Sequence, residues 1–221
     1  MNEILLIDKP AGMTSFGVVA RLRRVLSKQE GKKVKVGHTG TLDPFATGLM
    51  IIVTGQMCRW AMAFTKLDKW YEAEIILGTE STTGDPEGEL SRISDKKPDK
   101  GEIKQVLKKF TGKIEQTPPA FSAVKVNGRR AYQLARAGKE VDIPKRIITI
   151  YALELIGYDY PVLKLRTHVS SGTYIRSLAA DIGKELKTGA YCQNLRRIKI
   201  ADYDVKNAKV LADDRDRKSV V

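Results

Sequence analysis

The sequence predicts a single α/β domain of the α+β kind, and three observations carry that prediction. Short runs with strand character recur from one end of the chain to the other. Segments with apolar residues at helical spacing lie between them. Hydrophobic residues make up 42% of 221 positions, enough to bury a sizeable core.

In chain order, Ile4 to Ile7 reads as a buried strand followed by a turn at Lys9-Pro10-Ala11-Gly12. Thr14 or Ser15 then caps a helix whose Phe16, Val19, Leu22, Val25 and Leu26 share one face. The opposite face and the following loop carry Arg21, Arg23, Arg24, Lys28, Lys32, Lys33 and Lys35. Leu49 to Val53 is a continuous apolar run, as expected of a buried strand. Trp70 to Leu77 alternates, with Tyr71, Ala73, Ile75 and Leu77 on one face and Glu72 and Glu74 on the other. The polar stretch from Gly78 to Lys100 reads as a long loop. Ile103, Val106, Leu107 and Phe110 mark a helix that Gly112 can end. Val162 to Val169 is a further strand. The Ser170 to Thr173 loop then caps a helix with Ile175, Leu178, Ala179, Ile182 and Leu186 on one side. Beyond Tyr203 the composition turns polar, and Asp213 to Ser219 reads as a frayed tail. No repeat or low-complexity linker divides the chain, so one main domain is expected.

Lys and Arg number 39 against 26 Asp and Glu, a formal charge of +13. That excess predicts attraction to a polyanion, nucleic acid first and an acidic membrane surface second. Cys58 and Cys192 are the two cysteines, without metal-ligand spacing, which argues against a disulfide framework or zinc site and fits a reducing cytoplasm. The apolar run at the N-terminus is too short and wrongly flanked for a signal peptide, and no stretch approaches bilayer length.

The segment from Gly37 to Gly48, GHTGTLDPFATG, is the most distinctive. Its three glycines allow turns that side chains forbid. Pro44 biases Asp43 towards an extended conformation, so this carboxylate belongs to a loop. No Lys followed by Ser or Thr comes after the glycines, which excludes a phosphate-cradling P-loop. By itself Asp43 could equally be a turn-forming Asp-Pro. Arg176, at the start of a helix, opposes the helix dipole. It is either a tolerated surface residue or a cation held there for an anion, and pairing with Asp43 would keep that carboxylate ionised. Tyr71 is a half-buried strand residue or a stacking platform for a base. His38 is a loop histidine or a nucleotide contact.

Taken together these segments resemble the TruB family of pseudouridine synthases. The resemblance rests on Gly37 to Gly48 and on Asp8-Lys9-Pro10 with Gly12-Met13-Thr14-Ser15. It continues through Lys69-Trp70-Tyr71, the run from Pro118 to Lys125 with Gly128 to Tyr132, Ser171 to Leu178, and Leu195-Arg196-Arg197. The match runs from about Ile4 to Leu195 in order. It implies a pseudouridine-synthase fold: a central mixed, mostly antiparallel sheet flanked by helices, with an RNA-clasping insertion at about 117–147. It implies a catalytic domain over 1–205 and a short extension at 206–221. Many relatives carry a C-terminal PUA domain, for which the residues after Leu195 are too few.

The resemblance also implies roles. Asp43 would be the catalytic aspartate, Tyr71 would stack on the flipped uracil and Arg176 would pair with Asp43. Tyr174 and Leu195 would line the pocket, His38 would enter the T loop, and Lys9 with Pro10 would support the site. Arg59 stands where the family often has Lys, keeping the charge with another geometry, and joins the substrate-binding set. The expected reaction converts a uridine to pseudouridine at position 55 of tRNA, in the T loop. It needs no metal or organic cofactor, and the expected enzyme is a cytoplasmic monomer with no membrane or DNA partner. Competing readings are an RNA-binding or tRNA-folding protein without catalysis, and a subunit directed by a guide RNA. A glycoside hydrolase would need a second placed carboxylate, Asp68 or Asp85, which nothing in the sequence ties to Asp43.

Overall fold

The structure is a computed structural model that describes residues 1–211 except 127 and 140. The tail from Asp213 to Ser219 lies outside the described residues. The chain opens with β1 (Ile4–Lys9), α1 (Ser15–Gln29), β2 (Val36–His38) and β3 (Thr47–Thr54). A 3-10 turn (Gly55–Trp60) and the short α2 (Ala61–Thr65) lead into β4 (Lys69–Leu77). Next come the hairpin β5 (Thr79–Ser81) and β6 (Leu90–Arg92), then α3 (Lys100–Lys109) and β7 (Gly112–Gln116). The expected insertion holds β8 (Lys125–Val126), β9 (Arg129–Arg130) and α4 (Ala131–Arg136). The chain continues through β10 (Arg146–Asp159), β11 (Val162–Val169), α5 (Ile175–Leu186) and β12 (Ala190–Ile200). Two short strands, β13 (Tyr203–Asp204) and β14 (Lys209–Val210), close the described part.

This is the mixed, mostly antiparallel sheet with helices that was expected. Contacts sort the chain into two compact units, 1–71 with 196–221 and 72–195, whose boundaries fall inside β4 and β12. In the first unit the strands run β14, β1, β3, β12. β1 is antiparallel to β3, from Ile4 opposite Val53 to Lys9 opposite Gly48. β2 adds antiparallel to the far end of β3, and β12 adds parallel at Arg196–Thr47 and Arg197–Gly48. β3 is buried along almost its whole length, as its unbroken apolar run required. Leu49, Ile51 and Ile200 form a core there, packed by Ile4, Leu6, Phe64 and Leu67.

In the second unit the order is β12, β4, β11, β10, β7. β4 alternates strictly, with Tyr71, Ala73, Ile75 and Leu77 buried and Glu72 and Glu74 half-buried. β10 is antiparallel to both β11 and β7. α3 packs against α5.

Three local expectations change. Phe16, expected on the buried face of α1, is 68% exposed, and Val18 takes that face instead. The cap decides the phase: Thr14 accepts from Gly17 N, Ser15 turns inward, and the next side chain is carried about 100° outward. α3 stops at Lys109 with Phe110 as its C-cap, and Gly112, at φ +103°, opens β7 and does not cap the helix. The stretch Gly78 to Lys100 is not all loop, because it contains the β5–β6 hairpin. Among the described residues no helix is long and apolar enough to cross a membrane.

Gly48 shows how tightly β3 and β12 meet. Its φ is +108°, and a Cβ there would stand 2.3 Å from the carbonyl oxygen of Arg197 and 2.7 Å from its nitrogen. Backbone cannot yield as a flexible side chain does. Gly48→Ala should therefore cost about 3 kcal/mol in urea unfolding, from strain plus overpacking. An unchanged midpoint would mean that the two strands can separate there freely.

Candidate active site

Asp43 sits on the loop between β2 and β3 in the first unit, partly exposed and flanked by residues whose backbone is held from below. Lys9 is 0% exposed, and its Nζ donates to the carbonyls of Pro10 (2.8 Å), Met13 (2.7 Å) and Pro44 (3.1 Å). Gly12 N also donates to Pro44 O. Ser15 Oγ donates to Leu42 O at 2.9 Å and accepts from Leu42 N at 2.8 Å. Arg197, 1% exposed, donates Nε to Leu49 O (2.7 Å), Nη2 to Gly40 O (3.1 Å) and Nη1 to Thr41 O (3.4 Å). The residues on both sides of Asp43 are thus fixed through main-chain atoms. Its own carbonyl accepts from Ala46 N, closing a turn. Of the three glycines only Gly48 uses a positive φ.

A third buried cation lies beneath Gly40. Lys69 donates Nζ to Thr65 O and Leu67 O, and a Cβ on Gly40 would come 3.7 Å from Arg197 Nη1 and 3.8 Å from Lys69 Cε. Burial, then the charge of Arg197, lowers the Lys69 amine to about 8, with Asp68 opposing them. His38 ends β2, and its Nδ1 accepts from Gly40 N at 3.3 Å, so the neutral ring carries its proton on Nε2. Burial, and then Arg197, lowers its pKa below the usual histidine value. Tyr71 is 7% exposed, on the same face of β4 as Lys69. Arg59 is exposed and donates to Gln56 O and Gln56 Oε1 inside its own turn. Lys9, placed among substrate contacts by resemblance, is fully buried, so it reaches a substrate only through the loop it holds.

The second unit holds Arg176, Tyr174 and Leu195. Arg176 is 3% exposed and lies 3.1 Å from Asp85, itself 4% exposed. It also donates to Thr83 O (2.8 Å) and Phe121 O (2.9 Å). Asp85 Oδ1 accepts in addition from Thr83 Oγ1 (2.6 Å) and Glu87 N (3.1 Å). Two charges this deep are tolerated because they face each other and because both Nη atoms of Arg176 and Oδ1 of Asp85 have further hydrogen-bond partners. The helix-start cation is therefore a built feature of α5, where sequence alone had left a surface residue open.

Tyr174, not the Ser170–Thr173 loop, is the N-cap of α5, and its own side chain makes no cap bond. The buried Gln116 instead holds the backbone of the cap residue itself. Its Oε1 accepts from Tyr174 N at 2.8 Å and its Nε2 donates to Tyr174 O at 3.0 Å. Arg146 lies 5.1 Å from the Tyr174 ring centroid. Leu195 is 8% exposed on β12. The supporting roles of Ser15, Lys69, Asp85 and Gln116 were not read from the sequence, because their partners are main-chain atoms or distant residues. Among the described residues no group of three His, Cys, Asp or Glu side chains could hold a metal.

The buried lysine has a pH signature. The folded state releases the Lys69 proton near pH 8, whereas the unfolded chain holds it until near 10.5. Between those values the unfolded state binds more protons, so stability rises with pH. Wild type should gain about 2 kcal/mol relative to Lys69→Met between pH 7.5 and 10.5 in chemical denaturation. Parallel stability curves would remove the depressed amine from the account. Gln116→Leu leaves the Tyr174 amide unpaired, while its carbonyl keeps Leu178 N as donor, and should lower stability by about 2 kcal/mol in the same assay.

Comparison with known proteins bears on what these two clusters serve. Residues 23–175 match the family described as TruB family pseudouridylate synthase (N terminal domain). A tRNA pseudouridine synthase B from Dechloromonas aromatica (strain RCB) is 43% identical over 96% of this chain and 70% of its own length. One from Aquifex aeolicus (strain VF5) is 44% identical over 94% and 71%. One from Parabacteroides distasonis (strain ATCC 8503) is 45% identical over 91% and 86%. Among solved structures, a chain of a Cbf5-Nop10-Gar1 complex aligns with a TM-score of 0.73 at 29% identity, over 94% of this chain and 52% of that one. The chain spans about half of that structure's chain. With the family description matched over well more than half its length, and relatives above 40% identity along nearly all of it, the chain belongs to the TruB family of pseudouridine synthases.

Proposed function

We propose that this synthase acts on tRNA at the T-loop uridine, position 55, in the cytoplasm and as a monomer, with Asp43 as the reacting carboxylate. The observation that supports Asp43 most directly is its loop, fixed on both sides by Lys9, Ser15 and Arg197 through main-chain bonds. Holding a reacting group in place before substrate arrives removes reorganisation from the barrier.

In the reaction the bond between uracil N1 and ribose C1′ breaks, the base turns, C5 joins C1′ and loses its proton, and N1 takes one up. A fixed carboxylate serves either by attacking C1′ or by stabilising the cationic sugar. In this reading Arg176 pairs with Asp43, as the resemblance implies, and within its own unit its guanidinium is held by Asp85, Thr83 O and Phe121 O. Tyr71 stacks on the displaced uracil, while Tyr174 and Leu195 line the pocket and keep water from C1′. His38, neutral at physiological pH, enters the T loop and offsets the few kcal/mol of base flipping. No step calls for a metal or an organic cofactor. The curated relatives named as tRNA pseudouridine synthases are more similar in sequence than the Cbf5-containing structures, which favours tRNA over a guided substrate.

Incubation with an unmodified tRNA transcript and its T-arm hairpin tests this, with pseudouridine mapped by carbodiimide and primer extension. Wild type should modify the T-loop uridine. Asp43→Asn should lose at least about a thousandfold in rate while binding RNA normally. Arg176→Lys should lose about a hundredfold, since an ammonium cannot reproduce the fork that guanidinium offers. Binding without modification by wild type would end the T-loop assignment.

A further inference from the structure

The last turns of α1 and the loop after it form a shallow cleft of about 540 Å³ that the site described above does not use. Its walls include Arg23, Arg24, Lys28, Lys32 and Lys33, and no acidic residue lines it. Lys32 and Lys33 also line a second cleft, of about 420 Å³, which continues past Lys35 to Gly55 and Gln56 and again lacks an acidic wall. The acid in this loop, Glu30, faces the chain's own α-amino group at 3.4 Å. Lys28, Lys32, Lys33 and Lys35 are exposed and form no ion pair among the described residues. Arg23 donates to Val36 O, which ties the cleft wall to β2.

The lysines Lys28, Lys32, Lys33 and Lys35, gathered without counter-charges among the described residues, repel each other and add nothing to folding. Such a surface is explained by a polyanion that it meets. Position narrows the choice. Lys35 is three residues from His38, so the charged track ends within about 10 Å of chain from the residue placed in the T loop. A concave charged track one short strand away from His38 suits a strand of backbone phosphates better than a flat lipid surface does.

We propose that this cleft binds the phosphodiester backbone of the substrate RNA beside the modified loop, as an anchoring surface separate from the catalytic residues. This rests on the substrate being RNA, and the surface sets affinity without reading sequence, as phosphate contacts do.

The test adds Lys28→Gln, Lys32→Gln and Lys33→Gln together to the full chain, with a matching triple Lys→Arg variant. Binding of an unmodified tRNA transcript is titrated from 50 to 300 mM KCl in an Asp43→Asn background, so that no turnover intervenes. Single-turnover modification is followed with Asp43 intact. The Gln triple should bind about tenfold more weakly at 150 mM salt, with a salt slope about 2 smaller, because each lost phosphate contact removes somewhat less than one unit. Its rate at saturating RNA should match wild type, and the Arg triple should behave as wild type. An unchanged slope and affinity overturns the proposal. So does a Gln triple that loses sedimentation with phosphatidylserine vesicles while binding RNA normally, which assigns the cleft to a membrane surface. A failed T-loop assignment shows itself differently, as wild-type binding without modification, and leaves the salt slope readable.

Discussion

A guanidinium buried to 1% exposure must be answered by something, and among the described residues Arg197 is answered by main-chain carbonyls. An unpaired charge at that depth would cost several kcal/mol. The carbonyls of Gly40, Thr41 and Leu49 must therefore point at it, and that requirement shapes the loop carrying Asp43. The same charge reaches further. It lowers the pKa of His38 and of Lys69, which helps leave the histidine neutral and the lysine easily deprotonated. Gly48 belongs to the same device, since only a glycine lets β3 approach the backbone of Arg197 so closely.

The second unit solves a related problem with a true ion pair. Arg176 occupies the first turn of α5, where the helix dipole disfavours a cation. Asp85 and two carbonyls compensate, and Gln116 holds the amide and carbonyl of the cap residue Tyr174. Breaking a buried pair leaves a buried charge, so Arg176 is hard to displace from this nest. Each unit thus fixes its chemical group by contacts internal to itself, through backbone atoms in one and through a carboxylate in the other.

Much of this was legible in the sequence, and the limits have physical causes. Asp43 and the elements around it could be read, because Gly, Pro and apolar periodicity act locally. The strict alternation of β4 marked its buried face correctly, Tyr71 included. β10, fourteen residues long, went unread because register shifts near Ile150 and Leu155 break its period of two. Phe16 misled because an apolar residue in a helical pattern says nothing of the cap that sets the phase. Asp85 looked like a loop acid, since its partner Arg176 is distant in sequence, and Gln116 gave no sign because its partners are main-chain atoms. Arg197 was visible only as part of a resembling motif, for nothing in composition distinguishes a buried arginine from the exposed majority.

The buried cations also explain why stability and activity are set against each other in the first unit. Lys9, Lys69 and Arg197 lie in a core that apolar residues of like size would fill at lower cost. Replacing them would free the carbonyls they hold, and the loop would lose its single conformation before the fold was lost. The reaction proposed here calls for no cofactor and so depends on where Asp43 is placed, since no bound group would make up for a displaced carboxylate. Selection for that placement accounts for charges that packing alone would remove. The desolvation penalty is then the cost of a loop whose geometry is complete before RNA arrives.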